Sequence, residues 1–339
     1  MKAVVLRKPG GLDQLEFTEM DGPAAPGPDE VTVRIRASSI NYHDYLVVSG
    51  QAPAVDGLVP LSDGAGEVVA VGERVAGYKV GDTVISTFFP DWVDGEPLNR
   101  FGAQMFASVP GDGSNGFARE YVTAPASAFT PAPEGFTYPE SATLVCAGLT
   151  AWRALVVEGQ MKAGDIVLVQ GTGGVSLFAL QFAKAMGASV IATSSSDEKM
   201  ERLKALGADH VINYRSEPKW GALARQLTGG RGVDHVVDIG GPATLPQSFS
   251  ACRVGASVAI IGLLTGHEGP LPTTVMMGRQ LRVNCIMVGS RKSQIDMVRA
   301  VRANNIRPII DSHFGLAELA DAFRHQESGK HFGKIVIDI

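Results

Sequence analysis

Cysteine is scarce in this chain: Cys146, Cys252 and Cys285 lie scattered over 339 residues. Three thiols so spaced build no disulfide framework, and such usage fits a reducing compartment. Runs of Lys and Arg are missing too. With a formal net charge of −5, the chain has no broad electrostatic reason to hold nucleic acid or an anionic membrane. No apolar run approaches the length needed to span a bilayer. The N-terminal "MKAVVLRKPGG" loses its apolar stretch at Arg7 and Lys8, too early for a signal-peptide core. The expectation is a soluble, cytoplasmic protein with a small-molecule substrate and no nucleic-acid or membrane partner.

The length exceeds what one compact core usually serves, so two domains are expected. Residues 1–127 read as β-rich. "EVTVRIRA" alternates Val31, Val33 and Ile35 inward with Thr32, Arg34 and Arg36 outward, the pattern of a half-buried strand. "GEVVAVG" and "GDTVIS" are short β-branched runs closed by glycines. Between Pro90 and Gly116 lies a long segment rich in turn formers, a length that more often marks function or an interface than an idle loop.

From residue 128 the texture changes to strands alternating with helical segments. "IVLVQ", "SVIATS", "HVINY", "HVVDIG", "SVAIIGLL" and "LRVNCIMVG" are strand candidates, and helical patterns fall at 174–186, 196–206 and 216–228. Such alternation, with nearly continuous apolar strands, predicts an α/β domain with a doubly wound parallel sheet over 128–291. The tail from 292 returns to a helix and ends in "FGKIVIDI", a strand that rejoins the first domain.

The strongest chemical signal is "VLVQGTGGVSLFALQFAKAMGA". A buried strand runs into Gly171, Gly173 and Gly174 and straight on into a helix. Glycines there let the backbone approach a pyrophosphate, whose charge sits at the helix N-terminus. The third fingerprint position holds Ser176, small enough for close helix–strand packing. The bland alternative is a tight turn without ligand. The second strand ends in "ATSSSDEK", with no carboxylate before Asp197 to bind a ribose 2′-hydroxyl or repel a 2′-phosphate. Ser194, Ser195 and Lys199 suit a phosphate, which favours NADP(H). Ser196 also reads as a helix N-cap, a role that does not occupy Ser194 or Lys199.

A second polar stretch, "NYHDY", sets Asn41, Tyr42, His43 and Asp44 side by side. An amide, a phenol, an imidazole and a carboxylate suit a metal site, an acid–base device or a polar loop wall. Asp44 reads as an acceptor that pins the loop through backbone N–H groups. Histidine is the one side-chain type among them that ordinarily titrates near neutrality.

With "SINYHDYLVVSG", "GAGEVVAVG", "VCAGLTAW", "VLVQGTGGVS", "LKALGADHVINY" and "HFGKIVI" in this order, the chain resembles the medium-chain dehydrogenase/reductase superfamily along its whole length. The resemblance implies a GroES-like catalytic domain (1–127 and 292–339), a Rossmann NADP-binding domain (128–291), a cleft between them and hydride transfer on nicotinamide. It implies that Gly173, Gly174 and Val175 meet the pyrophosphate, with Thr150 near the nicotinamide-side phosphate. Tyr214 resembles a residue flanking the adenosine 2′-phosphate. Lys334 would reach the cofactor from the returning tail, although an isolated lysine is more often surface decoration.

The zinc-dependent alcohol dehydrogenases of this superfamily hold a catalytic zinc with Cys, His and Cys. Carried over, the first ligand falls on Asn41, the His on Ser62 and its neighbouring Glu on Asp63; only Cys146 survives. The cysteines of their structural-zinc lobe have no counterpart in 90–116. One thiol with an amide and an alcohol is a poor zinc site, so no metal is expected and Cys146 reads as a small buried hydrophobe. The chain resembles the zinc-free, quinone-oxidoreductase-like branch. That implies an NADPH-dependent reductase of quinones or activated C=C bonds, acceptors that already spread negative charge. The alternative is a zinc-free alcohol or ketone oxidoreductase with His43 or Tyr42 as acid, and Asn41 lining the cleft. A further alternative is a non-catalytic NADPH binder, crystallin-like or RNA-binding. "LRVNCIMVG", a last apolar β run, is placed where relatives pair two subunits, so a homodimer is expected.

Overall fold

The computed structural model describes residues 1–51 and 54–339. The chain divides into two compact units, Met1–Leu149 with Gly289–Ile339, and Thr150–Val288. The first boundary falls after Leu149 rather than near residue 127. The change of texture marks where strands stop alternating with loops, whereas the helical segments after it still pack on the first unit.

The first unit is built around the ten-residue strand Glu30–Ser39. Val31, Val33 and Ile35 are fully buried, as the alternation requires. This strand pairs antiparallel with Ala65–Val71, Tyr121–Pro125 and the C-terminal strand Lys334–Asp338. Thr83–Ser86, Phe129–Pro131 and Ile310–Gly315 extend the sheet to seven strands on either side. The last strand therefore threads back into the sheet built on Glu30–Ser39, while Lys2–Leu6 and Leu15–Glu19 form a separate two-stranded sheet. Its Ile335 and Ile337 are buried with Val4, Leu6, Ile40 and Phe323, and Val336 between them is buried too.

Segment 90–116 carries no strand and only a single 3-10 turn, Gly102–Gln104. It is nonetheless anchored, because Trp92 and Val109 are buried.

The second unit is a six-stranded, wholly parallel sheet. Its order is His210–Asn213, Ser189–Ser194, Ile166–Gln170, Val233–Asp238, Cys252–Ile260, Arg282–Cys285. In chain order that is 3-2-1-4-5-6, the doubly wound arrangement whose switch point lies beside the first strand. The helices Gly174–Ala185, Asp197–Ala205 and Trp220–Leu227 cover it. The third begins four residues later than its periodicity suggested, since Pro218 and its neighbours form the turn before it.

Tyr138–Val157 is a helical run of 20 residues, apolar enough by length and composition to cross a membrane. Of its most apolar stretch 72% is buried within the protein, so it is a core helix. The expectation that no segment reaches that length is corrected by it.

Candidate active site

Two polar constellations stand out, one in each unit. In the nucleotide-type unit the strand Ile166–Gln170 ends at Gly171, which turns with φ +72°. A β-carbon there would press against Ile239. Gly173 is the N-cap of the Gly174–Ala185 helix and carries no side-chain cap. A β-carbon on Gly173 would meet nothing within 4 Å. The turn thus leaves open space above a helix end whose first N–H groups no side chain covers, which is what a pyrophosphate needs. Ser176, buried, donates its hydroxyl to the Gln170 carbonyl at 2.5 Å, tying helix to strand. Val175 and Gly174 lie in the first turn, half-buried. Thr150 is buried in the short Leu149–Trp152 helix.

Parallel pairing brings Ser194 and Tyr214 to the same edge. The Gly171 N–H donates to the Thr193 carbonyl at 2.8 Å, and the Tyr214 N–H to the Ser194 carbonyl at 3.1 Å. The Tyr214 ring is exposed. Ser196 is the N-cap, its hydroxyl accepting from the Lys199 N–H. Ser194 is not idle: it is buried, and its hydroxyl oxygen accepts from the Ser196 N–H at 3.2 Å. Its own proton remains to donate. Ser195 and Lys199 are half-buried beside it. Asp197, the nearest carboxylate, receives a 2.7 Å bond from Asn213.

Sequence reasoning missed Asp238, at the end of the adjacent strand. It is fully buried and accepts from the Gly240 and Gly241 N–H groups, from Thr244 and Ser248, and from Gln170. This hub fixes the loop after its strand next to the glycine turn.

In the first unit, Asn41 ends the long strand's extension and N-caps the helix Tyr42–Val48. Asp44 acts as its position suggested: its carboxylate accepts from the Asn41 N–H at 2.8 Å and the Ser62 N–H at 2.9 Å. Burial, and then the neighbouring Asp63, pushes the Asp44 carboxyl up from its ordinary value. The loop it pins is strained, since Leu61, fully buried, sits at φ +78°.

Lys334 does not decorate the surface, as an isolated lysine more often would: it is 4% exposed. Its ammonium donates to the Ile40 carbonyl at 2.8 Å and to Asn41 Oδ1, and it pairs with Asp63 Oδ2 at 3.4 Å. Three acceptors thereby match the three N–H bonds of an ammonium. Asp63, fully buried, also accepts from the Ser39 hydroxyl at 2.5 Å and from the Cys146 N–H at 3.1 Å. The far end of the Asn41 amide lies 3.4 Å from the Ser62 hydroxyl. Asn41 is therefore a buried member of this cluster, with its carbonyl oxygen committed to Lys334. Cys146 is half-buried in a π-helical turn, Leu144–Gly148, and not a buried hydrophobe.

His43 and Tyr42 point elsewhere. Tyr42 is exposed and stacks on Tyr45, ring centroids 5.8 Å apart. The His43 ring lies against Phe88 and Phe106, at 5.3 and 4.9 Å, and its Nε2 faces Asp112 at 3.3 Å.

The profile of the alcohol dehydrogenase GroES-like domain matches residues 27–134, and that of the zinc-binding dehydrogenases matches 174–303. A zinc-type alcohol dehydrogenase-like protein of Schizosaccharomyces pombe is 40% identical over 100% of this chain and 99% of its own. The chain belongs to the medium-chain dehydrogenase/reductase superfamily. A crystal structure of a candidate alcohol dehydrogenase from Sinorhizobium meliloti superposes with TM-score 0.93 at 41% identity, covering 100% and 99% of the two chains. Among more distant superfamily structures are a quinone oxidoreductase of Pseudomonas syringae, 27% identical, and a mycobacterial protein solved with NADPH, 28% identical. Both superpose with TM-score 0.82 and cover at least 99% of either chain. An NAD-dependent alcohol dehydrogenase at 34% identity and TM-score 0.89 covers 100% of both. The chain thus has the nicotinamide-dinucleotide-binding fold of oxidoreductases, and its glycine turn fits that cofactor.

Zinc, which the second profile's name implies, does not fit the residues present. Where the zinc enzymes place ligands, this chain offers an amide whose oxygen is bonded to an ammonium, a hydroxyl, a carboxylate paired with the same ammonium, and a single thiol, Cys146. Among the described residues no group of three or more His, Cys, Asp or Glu is placed to hold a metal. A divalent cation there would share its donors with a fixed positive charge.

Proposed function

We propose that the protein is a zinc-independent, NADPH-dependent oxidoreductase that reduces quinones or activated C=C bonds. The ammonium of Lys334, seated among Asn41, Asp63 and Ile40, is the observation that carries this reading. It supplies at that position the positive charge that relatives with a metal draw from zinc, and it does so without an open coordination site. Acceptors that need no Lewis acid are those that delocalise the arriving charge themselves. When bound, a reduced nicotinamide supplies the hydride. Gly171, Gly173, Gly174 and Val175 would hold its pyrophosphate, and Thr150 the nicotinamide-side phosphate.

The NADPH preference rests on Ser194 and Tyr214, which strand pairing brings to one edge, and on Ser195 and Lys199 following in the chain where a carboxylate would select NADH. Lys199→Ala should weaken NADPH by about 1–3 kcal/mol and leave NADH nearly unchanged. Equal losses would assign Lys199 to the helix alone. The test of the whole reading is NADPH oxidation across quinones, enones and aldehydes, with zinc measured on the same sample by elemental analysis. Turnover of quinones or enones without stoichiometric zinc supports it. One zinc per chain, with activity lost to chelator, overturns it.

A second reading, reduction of aldehydes or ketones with His43 as acid, is favoured by the carboxylate facing that ring. A non-catalytic NADPH binder, crystallin-like or RNA-binding, would show no turnover, and an RNA mobility shift separates its two forms. We place the protein in the cytoplasm. We also propose a homodimer through Arg282–Cys285, which among the described residues pairs on one side only, with Cys252–Ile260. Light scattering at the monomer mass would sink that part.

A further inference from the structure

The turn Gly111–Gly116, at the end of the segment that follows Pro90, is built to hold the Asp112 carboxylate in place. Asp112 lies between two glycines with no room for side chains. A β-carbon on Gly111 (φ +83°) would come 2.6 Å from the Leu61 nitrogen, and one on Gly113 would come 2.3 Å from the Phe106 carbonyl oxygen. One on Gly116 would fall 2.1 Å from the Leu61 carbonyl oxygen. The turn is closed by the Gly111 N–H donating to the Ser114 carbonyl at 2.8 Å. It is fastened to the body by the Gly116 N–H on the Val59 carbonyl, and by the Val59 N–H on Asn115 Oδ1. Steric demands this tight leave little freedom at the tip.

What the tip meets is His43. Nε2 of that ring lies 3.3 Å from Asp112 Oδ2, and among the described residues the carboxylate has no other partner. Nε2 is buried yet makes no well-directed hydrogen bond, so the approach has the distance of an ion pair without its best angle. Such contacts commonly tighten only when substrate arrives. Phe88 and Phe106 hold the ring from two sides and add no charge. The other carboxylate that feels the ring is Asp44, on the same helix and already bonded to two backbone N–H groups. Since Nε2 is the enclosed nitrogen, Nδ1 is the edge left for a substrate.

We propose that Asp112 is a positioning residue for His43, and that the pair delivers the proton when an aldehyde or ketone is reduced. The proposal rests on the second reading above, reduction of aldehydes or ketones with His43 as acid, and it names the residue that positions that ring. A carboxylate beside Nε2 keeps a proton there in both charge states, so Nδ1 is the nitrogen that gains and loses one. As hydride, with its two electrons, bonds to the carbonyl carbon, the Nδ1–H bond breaks and an O–H bond forms on the carbonyl oxygen. Neutral imidazole and oxidised nicotinamide remain, and solvent returns the proton. A quinone, whose reduced oxygen is far less basic, depends much less on this donor.

The experiment uses the full chain, NADPH, one aldehyde and one quinone, with pH profiles for wild type, Asp112→Asn and Asp112→Glu. Asp112→Asn should lower kcat on the aldehyde roughly 10–100-fold, with KM changing far less. Its pH profile on the aldehyde should differ from that of wild type, because the group beside the ring has lost its charge. Asp112→Glu should recover much of both effects, and the quinone rate should suffer far less throughout. Equal losses on both acceptors, or an unmoved pH profile, overturn the proposal. Nitrogen NMR of the imidazoles provides a readout besides activity: neutral His43 should carry its proton on Nε2 in wild type and not in Asp112→Asn. A proton on Nδ1 in the wild type overturns the pairing even if no acceptor is turned over. Absence of all turnover would instead defeat the oxidoreductase reading.

Discussion

The glycine turn at Gly171–Ser176 and the ammonium cluster around Lys334 both concentrate polar groups under a loop, by opposite means. The turn is made of backbone within a handful of consecutive residues, and its chief requirement is the absence of β-carbons. The cluster is made chiefly of side chains from positions as far apart as Asn41 and Lys334, 293 residues. Each of its members matters because the others are buried with it. A backbone site tolerates changes around it and fails when something fills it. A side-chain site fails when something is taken away.

The largest effect should come from emptying the cluster. Lys334→Met leaves the Asp63 carboxylate buried without its counter-charge, which should cost about 3–5 kcal/mol of unfolding free energy in urea. Adding Asp63→Asn should return a good part of it. A loss under about 1 kcal/mol would show that the ammonium is not what holds the cluster.

Filling the turn should do the reverse. A β-carbon at Gly173 meets nothing within 4 Å in the protein, so Gly173→Ala should change stability by less than about 1 kcal/mol. NADPH affinity should nonetheless drop about 10–100-fold, the loss of one charge-assisted hydrogen bond. Calorimetric titration showing unchanged affinity would mean that the cofactor does not approach this turn.

The last effect is on the pH dependence of stability, and its sign differs between the two units. Burial alone would raise the Asp234 carboxyl, but hydrogen bonds from Arg231 and Arg253 hold it well below the ordinary range. Its stabilisation is therefore full above the ordinary carboxylate value and lost as pH falls toward the depressed one. The Asp44 carboxyl is raised, chiefly by burial. Its contribution declines as pH climbs above the ordinary value. Asp234→Asn should flatten the acid limb of Tm against pH, and Asp44→Asn should not. A steeper acid limb in Asp234→Asn would reverse the assignment.

The six parallel strands, their helices, the glycine turn and the Ser196 cap were legible because each is written in neighbouring residues. Periodicity and turn chemistry act over a few positions, and hydrogen bonds between adjacent strands then align Ser194 and Tyr214 with the turn automatically. Asp44 was legible for the same reason, as an acid three residues into a helix start. Asp112 left only a weak trace, an acid flanked by glycines in "GDGSNG". Nothing in that hexapeptide names His43 as its partner.

By itself, then, the sequence determined the doubly wound sheet and the place of the glycine turn at the end of its first strand. Only the tertiary structure decided that Lys334 is an interior cation rather than a surface one. It also decided that Asn41 serves Lys334 and that His43 faces a carboxylate. The physical reason is that burial and pairing depend on which distant strands the sheet brings together. A lone lysine in "FGKIV" carries no local mark of the Asp63 and Asn41 that await it across the strand Glu30–Ser39.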